Sequence, residues 1–174
     1  NYKITLLFDP TTNEVLVGKP VKHPREMNRE VTCNLFTNHP FLQKHVTGNF
    51  DSKNFTLFST ARPWGSLEEL LGYENSDRPI FITDVLKILK QVIVATKYLH
   101  YRKFFHRDIK PANIFVDHNM DGYLADFGES TPTQIELKAR TVSGTPLYMH
   151  KKIIYNIKRK KETYYGEEVD AFSI

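Results

Sequence analysis

Residues 3–9 (KITLLFD) and 14–21 (EVLVGKPV) are rich in Ile, Leu and Val, and the intervening PTTN carries turn residues. A hairpin is the predicted start of the chain. Pro24 suits the first position of a helix, and Met27, Val31, Asn34 and Leu35 fall on one face of a short helix that stops before His39 and Pro40. FLQKHVTGNF and NFTLFSTA read as two further strands around a turn at Asp51 and Ser52, closed by Pro63, Trp64 and Gly65. From Ser66 the pattern turns helical, first in SLEELLG and then, past the polar YENSDRP, in a long run. That run places Ile82, Val85, Leu86, Leu89, Val92, Ile93 and Thr96 on one face, with Thr83 as its predicted cap. FFHRD, NIFVD and GYLAD are short strand-like pieces, with HNMDG as the turn between the last two. The layout predicts an α+β chain with a strand-rich front and a helix-rich back.

The composition is that of a globular domain: 174 residues, 40% hydrophobic, 25% charged and 13% aromatic. Lys and Arg number 24 against 20 Asp and Glu, a net +4 that tolerates an anionic partner without demanding one. The single cysteine, Cys33, excludes an internal disulfide and cysteine-type zinc sites. It predicts an intracellular, cytoplasmic setting. No apolar stretch is long enough for a membrane span, since Lys90 and Lys97 break the longest one. The start at Asn1 carries no signal-like pattern and reads as a processed or excised end. The basic run IKRKK at 157–161 reads as a solvated loop and does not by itself carry a nucleic-acid partner.

Candidate chemistry concentrates in HRDIKPAN, residues 106–113, followed by Asp126, Phe127 and Gly128. The pair resembles the catalytic loop and metal-binding motif of eukaryotic-type serine/threonine protein kinases. The resemblance implies a two-lobed, protein-kinase-like fold. Residues 1–61 would form a partial small lobe of antiparallel sheet plus one helix, and residues 62–174 a partial, mainly helical lobe. It also implies a role for each residue type. Phosphoryl transfer needs a carboxylate that orients the attacking hydroxyl and takes its proton, here Asp108. It needs Mg²⁺ on hard oxygen ligands, supplied by Asp126 and Asn113, and a cation on the transferring phosphoryl group, supplied by Lys110. His106 is expected to pack the loop against Phe127.

Matches in the front half follow in family order. VLVGK resembles the strand motif whose lysine contacts the α- and β-phosphates of ATP, which makes Lys19 that residue and Glu30 its helix partner; Lys22 with Glu26 is the rival pair. The plainer alternative for Lys19 is a solvated lysine on the hairpin. In the same alignment Ile4 and Val17 would cover the adenine ring, Ser59 would be the gatekeeper, and Thr60, Ala61 and Arg62 would offer backbone groups to the base.

SGTPLYM, residues 143–149, resembles the substrate-docking turn, with Thr145 bonding Asp108 and Lys110. Arg107 before the catalytic Asp implies control by phosphorylation of the loop, with Thr141 as the best-placed acceptor and Thr131, Thr133 and Ser143 as alternatives. Three departures stand against the pattern. The glycine-rich phosphate loop is not seen, since Tyr2 falls where its last glycine would stand. His150, Lys151 and Lys152 replace the usual APE. VDAFSI, in which Asp170 would brace the catalytic loop, begins a helix at the chain's end. A kinase domain runs to roughly 250 residues, so the chain reads as about two thirds of one, expected to be poorly stable and inactive in isolation, with the apolar face of 82–99 partly uncovered.

The predicted function is transfer of the ATP γ-phosphate to serine or threonine of a protein substrate. The alternative is a pseudokinase, a nucleotide-binding or scaffold module on the same fold. A small-molecule kinase shares the Asp and Asn logic, but DFG and GTPLY argue against it.

Overall fold

The protein is described by a computed structural model over residues 5–50, 55–72, 80–132, 145–151, 154–155 and 166–174. Strands β1 (Thr5–Asp9) and β2 (Glu14–Val21) form the expected hairpin. Its turn is closed where Asp9 Oδ1 accepts the Thr11 N–H at 2.8 Å, with Asn13 in the left-handed region at φ 57°. β3 (His45–Phe50) and β4 (Phe55–Thr60) complete an antiparallel sheet in the order β1-β2-β4-β3. The strand expected from Phe41 starts only at His45, because Leu42 instead bridges in parallel to Leu124. Gly18 lies opposite Phe58, and a Cβ there would stand 2.8 Å from the Phe58 ring, so the sheet closes only around a glycine.

Helix α1 (Pro24–Phe36) begins at Pro24 as predicted, but its buried face is different. Glu30 and Cys33 are fully buried whereas Leu35 is 73% exposed. Helical spacing groups Glu26, Glu30 and Cys33 on the side that meets the 127–129 turn. α2 (Leu67–Gly72) starts with a reciprocal cap. Ser66 Oγ accepts the Glu69 N–H at 3.2 Å and Glu69 Oε2 accepts the Ser66 N–H at 2.8 Å.

The central helix α3 (Ile82–Tyr101) buries Ile88, Gln91, Val92, Ala95, Thr96 and Leu99. The stripe expected to face inward divides: Val92 and Thr96 are buried, while Ile82, Leu86 and Ile93 are 70%, 58% and 41% exposed. Thr83 is not the cap. Phe81 holds the cap position and Asp84 Oδ2 accepts its N–H at 3.1 Å. The short strands β5 (Phe104–Phe105), β6 (Ile114–Val116), β7 (Gly122–Leu124) and β8 (Thr131–Pro132) pair as β5-β8 and β6-β7.

The last helix, α4 (Glu168–Ser173), buries Val169 and Asp170. The core joins Cys33 and Leu42 to α3, β6, β7 and Phe127, so the sheet side and the helical side meet at the 127–129 turn. No helix among the described residues is long and apolar enough to cross a membrane.

Candidate active site

The loop from His106 to Asn113 is held from two sides. Asp170 of α4, fully buried, accepts the backbone N–H groups of His106 at 2.9 Å and Arg107 at 2.7 Å. His100 Nε2 bonds the same carboxylate at 2.8 Å. Burial pushes the Asp170 carboxyl up, but the His100 bond and the two backbone N–H bonds oppose it, and the carboxyl is held below the usual carboxylate range. Arg107 takes a left-handed backbone, φ 71°, a conformation that an arginine adopts only where its surroundings impose it.

His106 Nδ1 accepts the Asp108 N–H at 3.3 Å, so Nε2 carries the hydrogen donated to the Ala125 carbonyl at 3.0 Å. Its ring meets Phe127 edge-on at 5.3 Å, the packing role expected from the sequence. The ring is fully buried and held at both nitrogens, which fixes the geometry of the loop around it.

Asp108 is the hub. Its Oδ1 accepts from the Thr145 N–H at 3.0 Å and the Thr145 hydroxyl at 3.2 Å. Its Oδ2 accepts from Asn113 Nδ2 at 2.9 Å and lies 2.8 Å from the Lys110 ammonium, which also donates to Thr145 Oγ1 at 2.8 Å. The four residues expected to converge do so. The 145–149 turn is tied to α4, since Ser173 Oγ donates to the Tyr148 carbonyl at 2.8 Å and Met149 packs on Val169. His150, one of the departures, meets the Phe172 ring edge-on at 5.2 Å.

Across the site Lys19 Nζ sits among three carboxylates: Glu30 at 2.6 Å, Asp126 at 2.8 Å and Glu26 at 3.3 Å. Of the two rival pairs, Lys19 with Glu30 is in contact here, and Glu26, expected as the partner of Lys22, also reaches Lys19 from the preceding turn of α1. Burial pushes the Lys19 amine down, but the Glu30 and Asp126 charges overcome it and raise the amine above its ordinary value. Glu30 is likewise opposed by burial, and the His45 hydrogen bond together with the Lys19 charge holds its carboxyl at about 2. Asp126 has φ 64° and accepts the Gly128 N–H at 3.3 Å, while Phe127 beside it is buried and donates its N–H to Glu30 Oε2 at 3.2 Å.

Asn113 Nδ2 donates twice to Asp108, at 2.8 Å to the carbonyl and 2.9 Å to the carboxylate, so the Asn113 Oδ1 remains an acceptor. With the Asp126 carboxylate it offers the hard oxygen donors that suit Mg²⁺. Along the strand that approaches the cleft, the Thr60 carbonyl accepts from Gln43 Nε2 at 2.8 Å, and the Ala61 N–H donates to Val15 at 2.8 Å. Arg62 donates from Nε to Gln43 at 2.9 Å and lies 3.5 Å over the Tyr123 ring. Val17 pairs with Ser59, whose hydroxyl is 2.8 Å from His45 Nδ1. Arg107 donates from Nε to the Glu129 carbonyl at 2.6 Å, and the Glu129 carboxylate also meets Arg29 at 2.8 Å.

Ile4 and Thr141 lie outside the described residues, as do Thr133, Ser143, Lys152 and the 157–161 run. Sequence reasoning did not find Gln43, His45 or the Arg29–Glu129 pair. Only Glu26 carried a signal, its spacing of four from Glu30.

The model of the protein kinase domain family matches residues 11–174. The chain belongs to that family. Its kinase relatives include the phosphorylase b kinase gamma catalytic chain, liver/testis isoform, of Homo sapiens, 32% identical over 166 residues, 93% of this chain and 40% of that protein. Mitogen-activated protein kinase kinase kinase 3 of Arabidopsis thaliana is 31% identical over 137 residues, 76% of this chain and 20% of that one. The cell cycle serine/threonine-protein kinase CDC5/MSD2 of Saccharomyces cerevisiae is 28% identical over 157 residues, 90% of this chain and 21% of that one. This kinase-family chain therefore spans 40% or less of the length of these curated relatives.

Proposed function

We infer that the protein carrying this domain is a serine/threonine protein kinase that transfers the γ-phosphate of ATP to a hydroxyl of a protein substrate. The observation that carries this is the Asp108 carboxylate, bonded at once by Thr145 and Asn113 and 2.8 Å from Lys110. A carboxylate has about four lone-pair positions and these contacts fill them, so a substrate hydroxyl would take the place of the Thr145 hydroxyl, the longest at 3.2 Å, and give its proton to Asp108 as the new bond to phosphorus forms. Lys110, on the same carboxylate, is in range of negative charge developing next to it. Lys19, held by Glu30, Glu26 and Asp126, is the cation for the other phosphates. Mg²⁺ held by Asp126 and Asn113 Oδ1 would supply neutralisation of the phosphate charge.

The nucleotide would lie between residues 1–61 and 62–174, with Val17 and Ile4 against the base and the segment Ser59, Thr60, Ala61, Arg62 along its edge. The Ala61 N–H is already paired with Val15, and the Thr60 and Arg62 carbonyls each accept one bond, from Gln43 and from the Gly65 N–H, so the Arg62 N–H and the second lone pairs of these carbonyls would bond the base. The names of the relatives, which include a serine/threonine-protein kinase, support the substrate class. Control through a phosphate on Thr141 is supported by the place of Arg107 next to Asp108.

The test is Mg²⁺-dependent transfer from labelled ATP to a generic protein substrate by the full-length protein, compared with Asp108→Asn and Asp126→Asn. Transfer that falls by about 10²- to 10⁴-fold in Asp108→Asn is expected. A folded, ATP-binding protein with no transfer would replace this reading with the pseudokinase.

A further inference from the structure

His45 packs against Glu30, the partner of Lys19, and none of the roles above uses it. Its ring is 9% exposed and is held at both nitrogens: Nδ1 lies 2.8 Å from Ser59 Oγ and Nε2 lies 2.8 Å from Glu30 Oε2. Its backbone is fixed by α1, since Asn34 Oδ1 accepts the His45 N–H at 3.0 Å and Asn34 Nδ2 donates to the His45 carbonyl at 3.2 Å. The β3–β4 pairing shifts between His45 and Thr47, and Val46, the unpaired residue, is 54% exposed. Such a bulge re-aims the neighbouring side chain, and here the ring reaches Glu30 beneath the sheet.

The result is a continuous chain of contacts. It runs from Ser59 to His45, from His45 to Glu30 Oε2, from Glu30 Oε1 to Lys19 at 2.6 Å, and from Lys19 to Asp126 at 2.8 Å. A carboxylate bonded through one oxygen alone can swing about its terminal torsion, which is broad. Glu30 is fully buried, and the second oxygen is occupied by His45 and the Phe127 N–H. Oε1 therefore has one orientation, toward Lys19. Because Glu30 can only accept, the ring donates from Nε2 whatever its charge, and the Ser59 hydroxyl donates or accepts as Nδ1 requires.

We propose that His45 is a positioning residue for phosphoryl transfer: by clamping Glu30 Oε2 it fixes Lys19, and it links that ion pair to Ser59 on the strand leading into the cleft. The inference rests on the protein kinase reading for its transfer measurement only.

The experiment compares the full-length protein with His45→Gln, whose amide reaches the Nε2 position and can still donate to Glu30, and His45→Leu, which fills the space and donates nothing. Two quantities are read: transfer at saturating ATP, and the rate at which an amine-acetylating anhydride labels Lys19, followed by peptide mass spectrometry. His45→Leu is expected to lower kcat about tenfold, in line with the cost of a misplaced catalytic group, with KM for the protein substrate unchanged. It should also raise Lys19 labelling severalfold, because a Glu30 free to turn about its terminal torsion no longer pins the amine at 2.6 Å and the reagent reaches it more often. His45→Gln should stay within about twofold of the parent in both, the range expected where the Glu30 bond is kept.

Leu matching the parent in both readouts would overturn the proposal. So would Gln falling as far as Leu, since filling the space would then be all that matters. A parent with no transfer would sink the kinase reading, and the labelling comparison would still decide the role of His45.

Discussion

Asp170 Oδ1 accepts the backbone N–H of Arg107 at 2.7 Å, and its other oxygen accepts that of His106 at 2.9 Å, so one buried carboxylate of α4 fixes two consecutive peptides of the 106–113 loop. The residue that needs this support is Arg107, with its φ of 71°. Replacing Asp170 by Ala leaves two buried N–H groups unpaired, each costing about 1–3 kcal/mol. Asp170→Ala should therefore lower stability by about 3 kcal/mol, read from urea midpoints, and reduce transfer more than tenfold. Asp170→Asn, which keeps one acceptor oxygen, should fall between. Wild-type stability and activity in Asp170→Ala would show that the loop holds its shape unaided.

Glu30 makes the fold sensitive to acid. Its folded value of about 2 lies below the ordinary 4.5, so its contribution is fully present above 4.5 and is lost as pH falls toward 2. Asp170, also depressed, adds to the loss below 3.8. Lys19, raised above 10.5, behaves in the opposite sense and loses its contribution only as pH climbs past that value. Urea midpoints for the parent and Glu30→Gln, compared at pH 6 and pH 3, should show the steeper decline in the parent. Equal declines would remove Glu30 as the source.

What the sequence makes legible here is local. The β1–β2 hairpin, the start of α1 at Pro24 and the HRDIKPAN loop depend on turn residues, a fixed φ and short spacings, all written in consecutive residues. The faces of α1 and α3 were not legible, because periodicity finds the apolar stripe but the partner decides which side is buried. Leu35 is left in solvent, and Glu30 takes the interior because Lys19 and His45 neutralise and bond it. On α3, Ile82 and Leu86 lose the same contest to Ile88 and Val92, which meet β7. His45 was invisible for a further reason: its contact with Ser59 depends on a strand pairing and on a bulge that no pattern of apolar residues marks.

Gly122 of β7 marks a close approach between β7 and α3. A Cβ there would stand 2.7 Å from Ile88 Cγ2 and 3.5 Å from the Ile88 backbone, and Ile88 is itself fully buried. Neither side can yield without moving the Gln91 side chain that accepts the Gly122 N–H at 2.8 Å. Gly122→Ala should cost about 1–3 kcal/mol by overpacking. Gly72, with no atom within 4 Å of its added Cβ, provides the contrast, and Gly72→Ala at the end of α2 should be neutral or stabilising by up to about 1 kcal/mol. Thermal midpoints of the two variants decide the point, and a Gly122→Ala midpoint at or above the parent's would refute it.

Cys33 reports on whether α1 stays docked. Its thiol is fully buried, burial pushes it up to about 12, and its Sγ lies 3.9 Å from the Thr37 hydroxyl. The thiolate is the reactive form, so native Cys33 should be inert to an aromatic disulfide reagent at pH 8 and react only through opening of the fold. Adding urea should bring the labelling rate up along the unfolding curve. Glu30→Gln, which loses the carboxylate joining α1 to Lys19 and Phe127, should raise the native-state rate about tenfold if undocking of α1 costs some 1.4 kcal/mol less. A parent labelled within seconds in buffer alone would mean that α1 is not held against the 127–129 turn, and the Lys19–Glu30 pair would then be a minor state of the protein.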